Sequence, residues 1–282
     1  MDVKLGVTQW SLPGNGMCAV RIVADAGLDG LQIELGSYEL GYPMAQPRMQ
    51  DMYLDEAAKY GISFPSIVLN DINIYPMIAD KDSEKYKIGM DMLKTAVQVA
   101  DRMKVPVVMI PSFLDNDIKT PQDMDRTVEA LKYVCELAGE KGIEISSEGT
   151  ISYDKHLEIV ERVGYKNISI FYDSMNYKLF KGYDQAETLL GYYDKMTPQL
   201  HVKDGKTSDV KGPEDLWKII SSALLGKGDT GFYKTIEILK EKNYKGWIIL
   251  ENYYQHLPLR LVNEDQFEIM AQDIRILREA IQ

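Results

Sequence analysis

A chain of 282 residues, 45% hydrophobic and 27% charged, can bury a large core and falls near the size of one (β/α)₈ barrel. Its formal charge of −11 argues against a nucleic-acid backbone as the main partner, because such binding rests on clustered Lys and Arg. No apolar run approaches the ~20 residues of a membrane-spanning helix, so no membrane partner is expected.

From one end to the other, strand-like runs alternate with helix-like stretches, the pattern of βα units and a parallel sheet. The opening Met-Asp-Val-Lys-Leu-Gly-Val enters the first strand, 4–10, with no signal-type segment before it, which makes the protein's expected location cytoplasmic. A second strand is read at 30–35, a helix at 52–60 stopped by Gly61, and a third strand at 62–69. Ile88, Met92, Leu93, Ala96, Val97 and Ala100 recur at helical spacing, which predicts a long amphipathic helix over 83–103. A strand at 105–111 follows, then a helix over 121–142 with Val128, Leu131, Val134, Cys135 and Leu137 on its inner stripe. The remaining strands are 143–148, 168–173, 200–203 and 246–251, with helices at 156–163, 185–193, 231–242 and 264–281 between and after them. The stretch 204–225 is longer than a usual βα connection and contains its own helical piece, 213–225.

Eight strands and about eight helices fit one closed α/β barrel, a TIM barrel formed by a single domain over 1–282. An open doubly wound sheet is disfavoured because no G-x-G-x-x-G turn follows the first strand. Cys18 and Cys135 form no CxxC pair and are expected to be buried or partly buried free thiols rather than ligands. Asn167-Ile-Ser169 matches a glycosylation sequon by chance.

Glu148, Asp173, His201 and Glu251 each stand at or beside the carboxyl end of a short apolar strand, where barrel enzymes carry their chemistry. They are 25, 28 and 50 positions apart, yet successive parallel strands bring such ends to a common point. Three carboxylates and an imidazole suit one divalent cation, with Mn²⁺ expected first and Mg²⁺, Co²⁺ or Zn²⁺ as alternatives. Glu148 and Glu251 are the candidate catalytic pair, one removing a proton beside a polarised carbonyl and the other returning it. Return to the other face gives an epimer, and return to the neighbouring carbon gives an aldose–ketose isomer.

These residues sit within longer matches: Phe171-Tyr172-Asp173-Ser174-Met175-Asn176, Leu200-His201-Val202-Lys203-Asp204, Leu225-Gly226-Lys227-Gly228-Asp229 and Tyr244-Lys245-Gly246-Trp247-Ile248-Ile249-Leu250-Glu251. Together with the Glu148 strand and the stretch 92–111, they make the chain resemble the xylose-isomerase-like barrel superfamily of sugar and sugar-phosphate isomerases and epimerases. The resemblance implies that Glu148, Asp173, His201 and Glu251 bind the metal, that the glutamates move protons, and that the protein is a homo-oligomer acting on a small-molecule sugar or sugar phosphate. Ketose 3-epimerases of the group usually carry His where this chain has Asn176, and an Arg beyond the metal His where it has Lys206 and Thr207. These departures turn the expectation away from free-ketose 3-epimerisation.

Among the remaining polar residues, Asn176, Lys203, Asp204, Trp10 and Glu34 are the candidate substrate contacts, with Asn70 a weaker one. Lys203 either points at a substrate hydroxyl or phosphate or makes an inward salt bridge. His156 and His256 read as surface residues, and the tyrosines around strands six and eight as packing. A lyase of the inosose-dehydratase type is the first rival, and a non-catalytic sugar-binding barrel a further one. The DNA-repair endonuclease branch needs more histidines than the three present.

Overall fold

A computed structural model describes residues 1–14, 16–209, 222–256 and 259–282. Eight strands form a closed barrel in sequence order: β1 (Val3–Thr8), β2 (Gly30–Glu34), β3 (Ile67–Val68), β4 (Val107–Ser112), β5 (Glu144–Gly149), β6 (Ile168–Asp173), β7 (Met196–Val202) and β8 (Gly246–Leu250). Every neighbouring pair is parallel, and β8 closes onto β1. Around them lie α1 (Cys18–Asp25), α2 (Pro47–Tyr60), α3 (Glu84–Met103), α4 (Pro121–Gly139), α5 (Tyr153–Val163), α6 (Asn176–Lys181), α7 (Gln185–Tyr192), α8 (Phe232–Glu241) and α9 (Gln266–Ile281). Most of the helical piece predicted at 213–225 lies outside the described residues.

Local chemistry explains the helix bounds. Pro47 opens α2, where its missing N–H is no loss, and Gly61 closes it at φ 70°, a left-handed conformation that glycine adopts cheaply. Ser83 accepts the Tyr86 N–H to start α3, and Thr120 with Asp123 forms a reciprocal capping box at α4. The third strand is only two residues long, against the eight expected. Pro65 has no N–H for the ladder, so Ser63 and Ser66 meet β2 through single carbonyl contacts to the Leu31 and Ile33 N–H groups.

Strand alternation sorts the side chains into two apolar layers. Val7, Leu31, Ile33, Ile67, Val108, Ile110, Ile145, Ile170, Leu200, Val202, Ile248 and Leu250 belong to the large core shared with the helices. A second, small cluster of Val68, Met109, Phe171 and Ile249 fills the barrel interior, with Trp10 and Trp247 packed against it. Cys135 is buried in the large core, which pushes its thiol up to about 12, whereas Cys18 is exposed; both are free thiols.

Candidate active site

The strand period that puts Phe171 inside the barrel also puts Asp173 inside, two residues on, and the same step leads from Ile249 to Glu251. Pairing of β6 with β7 is irregular between Ile170 and Tyr172, after which Asp173 lies opposite His201. Glu148 enters from β5, beside Pro111 of β4. The four side chains expected to converge do meet. His201 Nδ1 lies 3.0 Å from Glu251 Oε2 and 3.9 Å from both Glu148 Oε1 and Asp173 Oδ2. One donor atom each from Glu148, Asp173 and His201 falls within 4.8 Å of the others, and all three residues are buried.

A lysine stands among them. Lys203 Nζ is 3.2 Å from Asp173 Oδ2 and pairs closely with Glu251 Oε2, so the inward salt bridge is the geometry adopted. Burial alone would lower its pKa, but Asp173 and Glu251 hold it above the ordinary lysine value and the ammonium stays charged. Burial would likewise raise Glu251, yet His201 and Lys203 hold it well below the usual carboxylate range. Glu148 goes the other way, pushed up by burial and by the charges of Glu251 and Asp173. Asp173 is raised by burial against the pull of Lys203. Among the described residues, three buried carboxyl groups thus share one ammonium, an arrangement short of positive charge.

Those groups are held in place from outside the cluster. The Trp10 indole donates to Glu251 Oε1 at 3.0 Å, and the Asn176 amide donates to Glu148 Oε1 at 3.2 Å. Asp173 Oδ1 accepts the backbone N–H groups of Met175 and Asn176 at 2.8 and 2.6 Å, which caps the short helix α6. Asp173 Oδ2 and His201 Nδ1, both buried, carry no hydrogen bond among the described residues. A carboxylate oxygen and an imidazole nitrogen with open lone pairs, beside Glu148 in an anionic pocket, fit a divalent cation of the Mn²⁺, Mg²⁺, Co²⁺ or Zn²⁺ kind.

A cavity of about 50 Å³ opens on the cluster and is lined by Glu148, Glu251, Lys203, Trp10 and Asn176, with Asn70, Asn73, Met109, Pro111, Phe113 and Tyr253 completing its wall. Glu34 is not among its lining residues. It is half-buried, its pKa is raised by burial, and it accepts a hydrogen bond of 2.9 Å from Asn70, which does line the cavity. Asp204 has a different task from the one expected. Its Oδ1 accepts from the Gly205 N–H at 2.9 Å and the Thr230 hydroxyl at 2.6 Å, and its Oδ2 from the Gly228 N–H at 3.0 Å. A Cβ on Gly228 would collide with this carboxylate and with the Gly205 carbonyl, so glycine permits the turn. Asp204 ties down the loop after β7 and does not line the cavity.

His156 corrects a further expectation, being fully buried on α5 against Tyr177 and Tyr192, while His256 is exposed and stacks on Tyr253. Asn73 and Phe113 lay outside the sequence-based candidates, and the turns that carry them have no periodicity to mark them. Gln32 was also passed over. A lone polar residue in the apolar run Gly-Leu-Gln-Ile was the available signal.

A curated relative, 2-epi-5-epi-valiolone 7-phosphate 2-epimerase of Actinoplanes sp., is 27% identical over 259 residues, covering 90% of this chain and 89% of that protein. Among solved structures, D-psicose 3-epimerase of Clostridium cellulolyticum H10 with D-tagatose has a TM-score of 0.77 at 13% identity, over 99% of this chain and 100% of that one. The IOLI protein, described with a bound zinc atom, has a TM-score of 0.77 at 14% identity, over 99% of this chain and 98% of that one. Likeness at such identities is one of fold. The family model described as xylose isomerase-like TIM barrel matches residues 20–280, and the chain belongs to that family.

Proposed function

We propose that this chain is a divalent-cation-dependent epimerase or isomerase of a sugar or sugar phosphate, working by proton transfer at the carbon beside a carbonyl. The observation that carries the reading is the approach of Glu148, Asp173 and Glu251 to within 3.0–3.9 Å of an imidazole nitrogen that has no hydrogen bond among the described residues. Glu148, Asp173, His201 and Glu251 would hold the cation, Mn²⁺ being the first to try. When bound, it supplies a Lewis acid that acidifies the carbon next to a carbonyl.

The chain's own residues handle the proton. Glu148 on β5 and Glu251 after β8 stand three strands apart round a closed ring, and both line the cavity. One can therefore take a proton from one side and the other return it from a different side, which inverts the carbon. Lys203 and the Trp10 indole engage both oxygens of Glu251 and keep it ionised, as a proton acceptor must be. Trp10 offers an apolar wall to a sugar face, and Asn176 and Lys203 offer hydrogen bonds to its hydroxyls. The epimerase name of the Actinoplanes relative supports this reading over a lyase.

Solvent deuterium incorporation, followed by NMR across a panel of ketoses, cyclic polyol ketones and their phosphates, tests it. Exchange at the carbon beside the carbonyl should need the cation, and Glu251→Gln should slow it at least 10²-fold, roughly the worth of a positioned base. Exchange at carbon 3 of a ketose marks epimerisation, and at carbon 1 or 2 aldose–ketose isomerisation. Loss of water to an absorbing enone, with no exchange into recovered substrate, would turn the assignment to a lyase.

A further inference from the structure

We infer that Gln32 is a positioning residue that fixes the tautomer of His201 and so makes its Nδ1 a ligand atom; this rests on the cation-binding reading above. His201 Nε2 lies 2.6 Å from Gln32 Oε1, in the barrel interior and 169 positions away in the chain. That contact ends a fully buried relay whose direction is set at its far end. The Pro65 carbonyl can only accept, so Gln199 Nε2 donates to it at 2.8 Å and turns Gln199 Oε1 toward Ser66. Ser66 Oγ must then donate to Gln199 Oε1 at 2.7 Å, which leaves its lone pair for Gln32 Nε2 at 2.9 Å. The second N–H of that amide points at Met109 Sδ, 3.4 Å away.

With its NH₂ committed, Gln32 has only a carbonyl oxygen to offer the imidazole. In the neutral, metal-binding form the ring must therefore carry its proton on Nε2, which leaves the Nδ1 lone pair facing the three carboxyl groups. Glu251 Oε2 lies 3.0 Å from Nδ1, and among the described residues no hydrogen bond to Nδ1 is formed. Phe171 and Trp10 pack against the ring, with centroids 4.6 and 6.1 Å from that of His201. A metal-bound imidazole needs such a partner on its other nitrogen, and outer partners of this kind are worth 10–100-fold in affinity.

The relay is testable without substrate. Three histidines make the imidazole nitrogens easy to assign by ¹H–¹⁵N NMR in mildly alkaline buffer. In the metal-free wild type, His201 should show its proton on Nε2 and an unprotonated Nδ1. Gln32→Met, similar in length and at most a weak acceptor, should give mixed tautomers and bind Mn²⁺ about 10–100-fold more weakly by chelator competition. Gln199→Leu, one link further away, should do the same to a smaller degree and serves if Gln32→Met fails to fold. A proton on Nδ1 in the wild type, or unchanged Mn²⁺ affinity in folded Gln32→Met, would overturn the inference. If the wild type binds no cation at all, the cation-dependent function fails, while the tautomer measurement still decides the role of Gln32.

Discussion

Lys203 holds a full positive charge where almost no water reaches, 1% exposed between Asp173 and Glu251. Removing one partner from such a cluster leaves the others uncompensated. Lys203→Met should therefore lower stability by about 3–5 kcal/mol in chelator, read from urea unfolding, and added Mn²⁺ should restore part of the loss. An unchanged midpoint would mean that the carboxyl groups take up protons in place of the ammonium. Glu148, Asp173, His201 and Glu251 were legible as a group because each closes or adjoins an apolar strand and shares its end of the barrel. For Lys203 both of the weighed roles were compatible with the sequence. Asp204 was misread because its partners are the backbone N–H groups of Gly205 and Gly228 and the Thr230 hydroxyl, which no residue pattern announces.

At the scale of elements, α5 shows what a misplaced start costs. It begins at Tyr153 after Ser152, so His156 lies a turn inside the helix on the buried stripe with Ile159, Val160 and Val163. Read as the first residue of a helix over 156–163, the same His looks like a surface group. Burial pushes its pKa down to about 4 from 6.5. Between those values the unfolded chain takes a proton that the folded chain refuses, so stability is lost as pH falls from about 6.5 to about 4. The total is about 3 kcal/mol. Asp273, pushed up to about 7 by burial, has the opposite sign, its folded form taking the proton first as pH falls. Urea unfolding of the wild type and His156→Gln over this range separates the two, because the Asp273 contribution cancels in the comparison. The difference between the proteins should shrink toward low pH, and a constant difference would show that His156 does not titrate as argued. The short helix α6 escaped notice since six residues hold little periodicity, and its start depends on the Asp173 carboxylate.

For the whole molecule, a cation that binds only the folded state must stabilise it. At about 100 times its dissociation constant the gain is about 2.7 kcal/mol, which for a chain of this length raises the melting temperature by about 5 °C. Calorimetry with and without chelator measures this, and no shift with Mn²⁺, Mg²⁺, Co²⁺ or Zn²⁺ would remove the cation from the proposed function. The order of the elements and the closed parallel barrel followed from the sequence by itself. Apolar periods of 2 and 3.6 and their stop signals are local properties, and short right-handed βα connections leave few ways to arrange them. What each polar group touches was decided only by the tertiary structure. Gln32 and His201 are neighbours across 169 positions, and Lys203 and Glu251 across 48. Hydrogen bonds and ion pairs act over a few ångströms of space and leave no period along the chain, so barrel closure had to bring these partners together before their roles could be read.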